Sequence, residues 1–517
     1  MEKLTVVLVL FAVSPFTATD GAKILGLFTI PSISHQIVYR ALMKELHSRG
    51  HEIVVLTTDP IRDPKLENYS EIDLSSSYEM WKPKIAALVE RRLKGGTTFS
   101  MFLEFVEVGL DLCEIELNLP KVKEILENSG SNFDLIIMET ILSPCFFVFP
   151  YKLNAPYIGI TSVPPTTSTQ SSVGNPANPA YSPDFILGYT DHLTFTQRFH
   201  STLYSIALRL LDYYWIFPAH DAMVRRIFND TSMPYIGELA NNVSVLLANY
   251  HYSFYYPRPN VPNMIEIAGL HLATPGSLPK DLQKFMDTSP EGVIYFSLGT
   301  NVRSDKMLVD RIQMFLGVFS ELPQFHVLWK WDGEEMHGHS NNVKISKWFP
   351  QQDVLAHPKV KAFMYQGGLQ STEEAIRSQV PVVGIPFIAD QEINIRKLVN
   401  AGAGIKIGFN EINKENVLKT LNEVIYNQSY KSNMIKLSII TKDLPDTAME
   451  RAVWWTEYVI RHKGAPHLRC ATVDLTWYQY LLLDVTSFIT ITFIMIVWLS
   501  YCFMKLSIPK LKYVIKR

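Results

Sequence analysis

The chain has 517 residues, enough for two or more domains. Hydrophobic residues make up 47% and charged residues 19%, the balance of a globular protein that also carries a membrane segment. A formal charge of −2 gives no footprint for a nucleic-acid partner, and four cysteines exclude a disulfide framework.

At the N-terminus, Lys3 precedes the apolar run Leu4–Val13, and small residues follow around Thr17–Gly21. Residues 1–21 therefore read as a cleaved secretory signal, too short to span a bilayer. A βαβ unit comes next. Its first strand, Lys23–Thr29, leads through Pro31–His35 into a helix over Gln36–Ser48 with an apolar stripe of Ile37, Ala41, Leu42 and Leu46. Gly50 ends that helix, and the strand Ile53–Thr57 follows. Further strands are expected at Phe133–Met138, Pro156–Thr161 and Val243–Asn249. The Ser-, Thr-, Pro- and Asn-rich stretch Pro164–Pro183 reads as a long loop. Phe195–Phe228 reads as helix dense in aromatics. Its Phe199, Leu203, Tyr204, Leu208 and Tyr214 suit a core-facing stripe, a pocket wall or a membrane-lying patch. Residues 22–250 form the first expected domain. Pro257, Pro259 and Pro262 mark residues 251–290 as a stiff linker.

The second half repeats the alternation. Strands are expected at Gly292–Ser297, His326–Trp331, Val343–Ser346, Val360–Tyr365, Val380–Ile385 and Ile405–Ile407. Helices fall between them and continue over Lys414–Asn427, Tyr430–Lys442 and Thr447–Arg461. Residues 291–445 form the second domain, and 446–484 connect it to an anchor. Strands alternating with helices imply parallel sheets covered on both faces, two such domains facing a cleft. No G-x-G-x-x-G follows the first strand, and Gly402-Ala-Gly404 comes after a helix, which excludes a dinucleotide oxidoreductase.

Val485–Met504 is a run of 20 uncharged residues, about 30 Å as a helix, bracketed by Asp484 and Lys505. Trp477, Tyr478 and Tyr480 stand at one edge as interfacial aromatics do. The tail 505–517 carries Lys505, Lys510, Lys512, Lys516 and Arg517 and no acid, which places it in the cytosol and the body in the lumen. Sequons at Asn68, Asn229, Asn242 and Asn427 all precede the span. Cys502 lies in the span. Cys113, Cys145 and Cys470 allow at most one bridge, and no spacing calls for a metal.

Residues 363–394 read as strand, glycine turn, helix, strand and polar cluster. Gly367 and Gly368 let backbone N–H groups approach a ligand, and the helix Leu369–Ser378 aims the positive end of its dipole at the same spot. A diphosphate suits that spot. Glu374 could accept hydrogen bonds from two ribose hydroxyls, and Asp390 and Gln391 could bind sugar hydroxyls. Trp348, at the end of a strand, offers a face for a base, and Gln351 can both donate and accept. Read alone, Trp348 suits the core as well.

This segment resembles the signature of the family 1 UDP-glycosyltransferases, and the resemblance runs nearly the whole chain. The Gln-Gly-Gly-Leu-Gln-Ser-Thr form is similar to the insect and baculoviral branch, microsomal membrane proteins. The resemblance implies the GT-B architecture, with acceptor on the N-terminal domain and UDP-sugar on the C-terminal one. It implies that Trp348 and Gln351 contact uracil. Gln366, Ser371 and Ser297 would neighbour the diphosphate, with Arg258 either supplying charge or lying solvated in the linker. It implies that His35 is the base for the acceptor hydroxyl, oriented by Glu139. His51, at the opposite end of the sheet, reads as structural. Two positions depart from the pattern: most relatives have His at Gln366 and Asp at Glu139. Gln keeps a donor but never a positive charge.

The implied reaction is a direct, inverting displacement, with UDP-sugar as co-substrate and no cofactor or metal. UDP-glucose is favoured as donor and a small lipophilic alcohol or phenol as acceptor. A non-catalytic lipophile or UDP-sugar binder and a lipid-modifying transferase are the alternatives. The implied location is the endoplasmic reticulum membrane, and homo-oligomerisation is left open.

Overall fold

The computed structural model describes residues 21–127 and 132–515. The signal peptide expected over 1–21 lies, apart from Gly21, outside the described residues, as do Lys516 and Arg517 of the basic tail. Residues 21–468 form one compact unit and 469–515 belong to another.

The first unit is built on two wholly parallel sheets. The first sheet holds β1 (Lys23–Phe28), β2 (Glu52–Thr57), β3 (Tyr69–Asp73), β4 (Leu135–Glu139), β5 (Tyr157–Ile160), β6 (Val245–Ala248) and β7 (Met264–Glu266), in the order β3-β2-β1-β4-β5-β6-β7. The second holds β8 (Gly292–Ser297), β9 (Phe325–Lys330), β10 (Val343–Ser346), β11 (Val360–Tyr365), β12 (Val382–Gly384) and β13 (Gly404–Lys406), in the order β10-β9-β8-β11-β12-β13. Central strands such as β4, β5 and β8 are buried along their whole length, as parallel strands covered on both faces must be.

The helix after β1 spans Ile33–Ser48, three residues longer at its start than its apolar pattern suggested, so His35 lies in its first turn rather than in the preceding loop. Its buried face is Val38, Tyr39, Leu42, Met43 and Leu46, one step round from the expected stripe. Gln36 fixes that entry: its amide donates to the Phe28 and Ile30 carbonyls at 2.9 and 3.1 Å. Two helices between β3 and β4, Ser77–Leu93 and Thr98–Leu117, were not legible beforehand. Cys113 on the second is joined by a disulfide to Cys145. Phe195–Leu211 continues through a π-turn at Asp212–Ile216 into Phe217–Phe228. Tyr204 and Leu208 face inward, while Phe195, Phe199 and Leu203 are exposed.

Residues 251–290 carry β7 and the helix Lys280–Asp287, which packs into the core around β8 and β11. The helix Ala448–Arg461 returns to the first sheet, where Ala452, Val453 and Val459 join the cluster containing Ile24, Val38 and Ile265.

In the second unit the helix Leu483–Ile515 contains Leu483–Lys505, a 23-residue stretch long and apolar enough to cross a membrane.

Candidate functional site

Strand order reverses once in each sheet, between β1 and β4 and between β8 and β11. Ligands of open α/β sheets bind beyond the carboxyl ends of strands at such reversals. The singled-out polar residues gather at those two places.

In the first sheet His35 follows β1 and Glu139 ends β4. His35 Nδ1 lies 2.6 Å from Glu139 Oε1. The His35 side chain is 17% exposed and that of Glu139 only 2%, so the imidazole can meet a substrate while the carboxylate stays behind it. Below the pair, burial and then the Glu139 charge push the Tyr39 hydroxyl well above the ordinary phenol range. His51 lies at the far end of the sheet, where Nδ1 accepts the Ala22 N–H at 3.1 Å.

In the second sheet Ser297 ends β8, and its hydroxyl accepts the Gly299 N–H at 3.3 Å. Gly299 has φ +76°, and a Cβ there would stand 2.2 Å from Gln366 Nε2. Only glycine lets the loops after β8 and β11 meet. Gly367 has φ +95°, and a Cβ on it would strike Ile395 at 2.6 Å. Gly368 differs. It has an ordinary φ of −60° and caps the helix Leu369–Arg377. The nearest atom to a Cβ there would be Gln366 Nε2 at 3.8 Å, so the backbone entering the helix faces open space. Its free N–H groups and dipole suit an anion.

Trp348, after β10, is 59% exposed, and its neighbour Phe349 takes the core position instead. Gln351 Nε2 donates to Ser371 Oγ at 2.8 Å and Glu374 Oε2 at 2.6 Å, and its Oε1 accepts the Tyr295 hydroxyl at 3.1 Å. Gln351, Ser371 and Glu374 thus form one hydrogen-bonded group, with Glu374 almost wholly buried. Asp390 Oδ2 accepts from Asn394 Nδ2 at 2.6 Å, and the same nitrogen reaches the Gly367 carbonyl at 2.9 Å. Burial raises the Asp390 carboxyl to about 6, against the lowering influence of Asn394 and His35. Gln391 turns its oxygen onto the Phe387 and Ile388 N–H groups at 2.7 and 3.0 Å, bracing the loop before Asp390. Arg258 lies over the Tyr250 ring at 4.2 Å and donates to Ser182 at 3.4 Å, with hydrogen bonds to none of these residues.

The two halves touch. Asn301 Nδ2 donates to Ser32 Oγ at 3.2 Å, and Gln370 Nε2 to the Ser162 carbonyl at 2.7 Å. Sequence reading missed two components. One is a cavity of about 100 Å³ lined by Met101, Phe102, Phe105, Leu187 and Phe387 together with the charged Arg92 and Glu392, next to the Asp390 loop. The alternating Phe and Met of Thr98–Leu117 was its signal. The other is His271, treated below.

Two parallel sheets whose halves touch, each with polar residues at its reversal of strand order, make up the GT-B architecture of glycosyltransferases. Solved structures agree at the level of fold. The glycosyltransferase VinC in complex with dTDP aligns with a TM-score of 0.56 over 85% of this chain and all of that one, at 14% identity. The glycotransferase of kitacinnamycin gives 0.55 over 85% and 99%, at 17% identity. The family profile described as UDP-glucoronosyl and UDP-glucosyl transferase matches residues 23–516. UDP-glucosyltransferase 2 of Dactylopius coccus is 38% identical over 97% of this chain and 95% of its own length. UDP-glucuronosyltransferase 2B7 of Homo sapiens is 31% identical over 92% of each. The chain belongs to the UDP-glucuronosyl and UDP-glucosyl transferase family and is a UDP-glycosyltransferase, which transfers sugar from a UDP-sugar.

Proposed function

We propose that this enzyme transfers glucose from UDP-glucose to a hydroxyl of a small lipophilic acceptor, with inversion at the anomeric carbon. The single observation carrying the mechanism is the 2.6 Å contact between His35 Nδ1 and Glu139 Oε1. Glu139 holds the Nδ1–H tautomer and leaves Nε2 to take the acceptor's proton. The acceptor oxygen then bonds to the anomeric carbon as the bond to the UDP oxygen breaks, so an α-linked donor gives a β-glycoside and UDP. The helix at Gly368 and the amide of Gln366 bear the diphosphate charge. Trp348 and Gln351 take the uracil, Glu374 the ribose, and Asp390 and Gln391 the sugar. Ser297 and Ser371 stand beside the phosphates. Arg258 is a positive neighbour set back from this group.

Glucose is favoured because the insect relatives include one named a UDP-glucosyltransferase. The Met101, Phe102, Phe105 and Leu187 wall of the cavity beside the Asp390 loop supports an apolar acceptor on residues 22–250, with the donor on 291–445. The Cys113–Cys145 disulfide and the basic tail support a body in the lumen of the endoplasmic reticulum, anchored by Leu483–Lys505.

The test is UDP release by microsomes from expressing insect cells, given UDP-glucose or UDP-glucuronate and a panel of phenols and steroids. Acceptor-dependent release with UDP-glucose alone is the expected result. Release only with UDP-glucuronate overturns the donor, and UDP binding without release overturns transfer.

A further inference from the structure

His271 lies in the segment joining the two sheets, and its side chain is 1% exposed. Its ring stands between two buried carboxylates. Nε2 is 3.3 Å from Glu374 Oε1, and Nδ1 is 3.5 Å from Glu373 Oε2. Burial alone would lower the imidazole, but Glu374 and Glu373 outweigh it and hold His271 above its ordinary value. Burial raises Glu373 to about 7, while its other oxygen accepts the Gly269 N–H at 3.1 Å. The segment is stitched down on both sides. The Gln352 side chain reaches the His271 carbonyl at 3.3 Å and the Ala273 N–H at 2.9 Å.

We propose that His271 is a positioning residue for ribose recognition: an imidazolium inside the protein that holds Glu374 in the orientation in which it accepts the ribose hydroxyls. The geometry assigns the two oxygens of Glu374 separate supports, Gln351 on Oε2 and His271 on Oε1. A buried carboxylate supported on one oxygen only would pivot about Gln351. Supported on both oxygens, it keeps its direction. His271 itself is too deep to touch the nucleotide.

This inference rests on the assignment of Glu374 to the ribose. The test measures binding of UDP and of 2′-deoxy-UDP to the full-length, detergent-solubilised enzyme by calorimetry, with UDP-glucose kinetics alongside. Wild type is expected to favour UDP by about tenfold or more, the worth of one hydrogen bond to a charged acceptor. His271→Asn is expected to narrow that ratio to within about threefold, raising the UDP-glucose KM with kcat at saturation little changed, and Glu374→Gln is expected to do the same. If His271→Asn does not fold, His271→Met, of similar bulk and with no N–H to offer Glu374 Oε1, carries the same expectation. A variant that weakens UDP and 2′-deoxy-UDP equally overturns the proposal, since loss of packing makes no distinction at the 2′ position. A wild type that binds both equally overturns the ribose role of Glu374, and this proposal with it.

Discussion

Gln370 Nε2 donates a 2.7 Å hydrogen bond to the backbone carbonyl of Ser162, tying the helix Leu369–Arg377 to the chain leaving β5. Both partners are buried. The bond crosses from one sheet's half to the other. The Ser162 carbonyl also accepts Asn249 Nδ2 at 2.8 Å, so removing Gln370 does not leave it bare. Gln370→Ala should therefore cost only about 1 kcal/mol of stability. It should lower kcat/KM more than it lowers stability, by about tenfold, because it loosens the register between base and donor. Thermal unfolding and steady-state kinetics on the same preparation check the two effects separately.

His35 and the residues proposed for the nucleotide adjoin different sheets, so the proposed roles in chemistry and donor binding can be tested separately. His35→Ala should lower kcat by at least about 10²-fold and leave UDP affinity within about twofold. Glu139→Gln keeps the shape but not the charge, and should cost a comparable factor because the wrong tautomer and an unstabilised imidazolium both slow proton transfer. Single-turnover kinetics with tritiated UDP-glucose, beside UDP titration, measure both. Normal turnover by His35→Ala would remove His35 from the mechanism.

Much of this site was legible in the sequence because its residues follow strands. His35 after β1, Glu139 ending β4, Ser297 ending β8 and Gln366 after β11 all sit at strand ends, and a run of buried apolar residues announces a strand end plainly. The fold failed to show where the pattern was weak. β3 reads Tyr-Ser-Glu-Ile-Asp, an edge strand whose polar residues carry no apolar period. The helix Ser77–Leu93 contains Pro83, a residue that breaks the signal of a helix interior. β7 is three residues long amid prolines. His271 was invisible for another reason. It acquires meaning only when Glu373 and Glu374, a hundred positions on, are packed against it. Gln351 and Gln391 were legible as polar site residues, but their bonds to Ser371, Glu374 and the Phe387–Ile388 backbone depend on tertiary placement.

Gly299 should tolerate no side chain. At φ +76°, alanine carries backbone strain of about 1–3 kcal/mol, and its methyl would drive Gln366 from its place. Gly299→Ala should raise the KM for UDP-glucose at least about tenfold. Gly368→Ala, at an ordinary φ with room around it, is the informative contrast. Its folding should be unharmed, so any loss of UDP binding reports a methyl group in the path of the diphosphate. Equal folding and equal UDP affinity for Gly368→Ala and wild type would move the diphosphate away from this helix.

His220, on the helix Phe217–Phe228, ties stability to pH. It is 1% exposed, and its ligand atoms lie within 4.8 Å of Cys113 and Cys145, whose sulfurs are joined to each other and so are not thiolates. Its Nδ1 has no hydrogen-bond partner, and burial pushes the imidazole down from 6.5 to about 4. Above pH 6.5 folded and unfolded chains both carry it neutral. Below that, the unfolded chain takes up a proton that the folded one refuses until pH falls to about 4. Stability is therefore lost as pH falls between those values, by about 2 kcal/mol from pH 7 to 5. His220→Gln should remove that share of the pH dependence. Denaturant midpoints for wild type and variant at pH 7 and 5 give the difference, and parallel shifts in the two proteins would show that His220 is protonated in the fold.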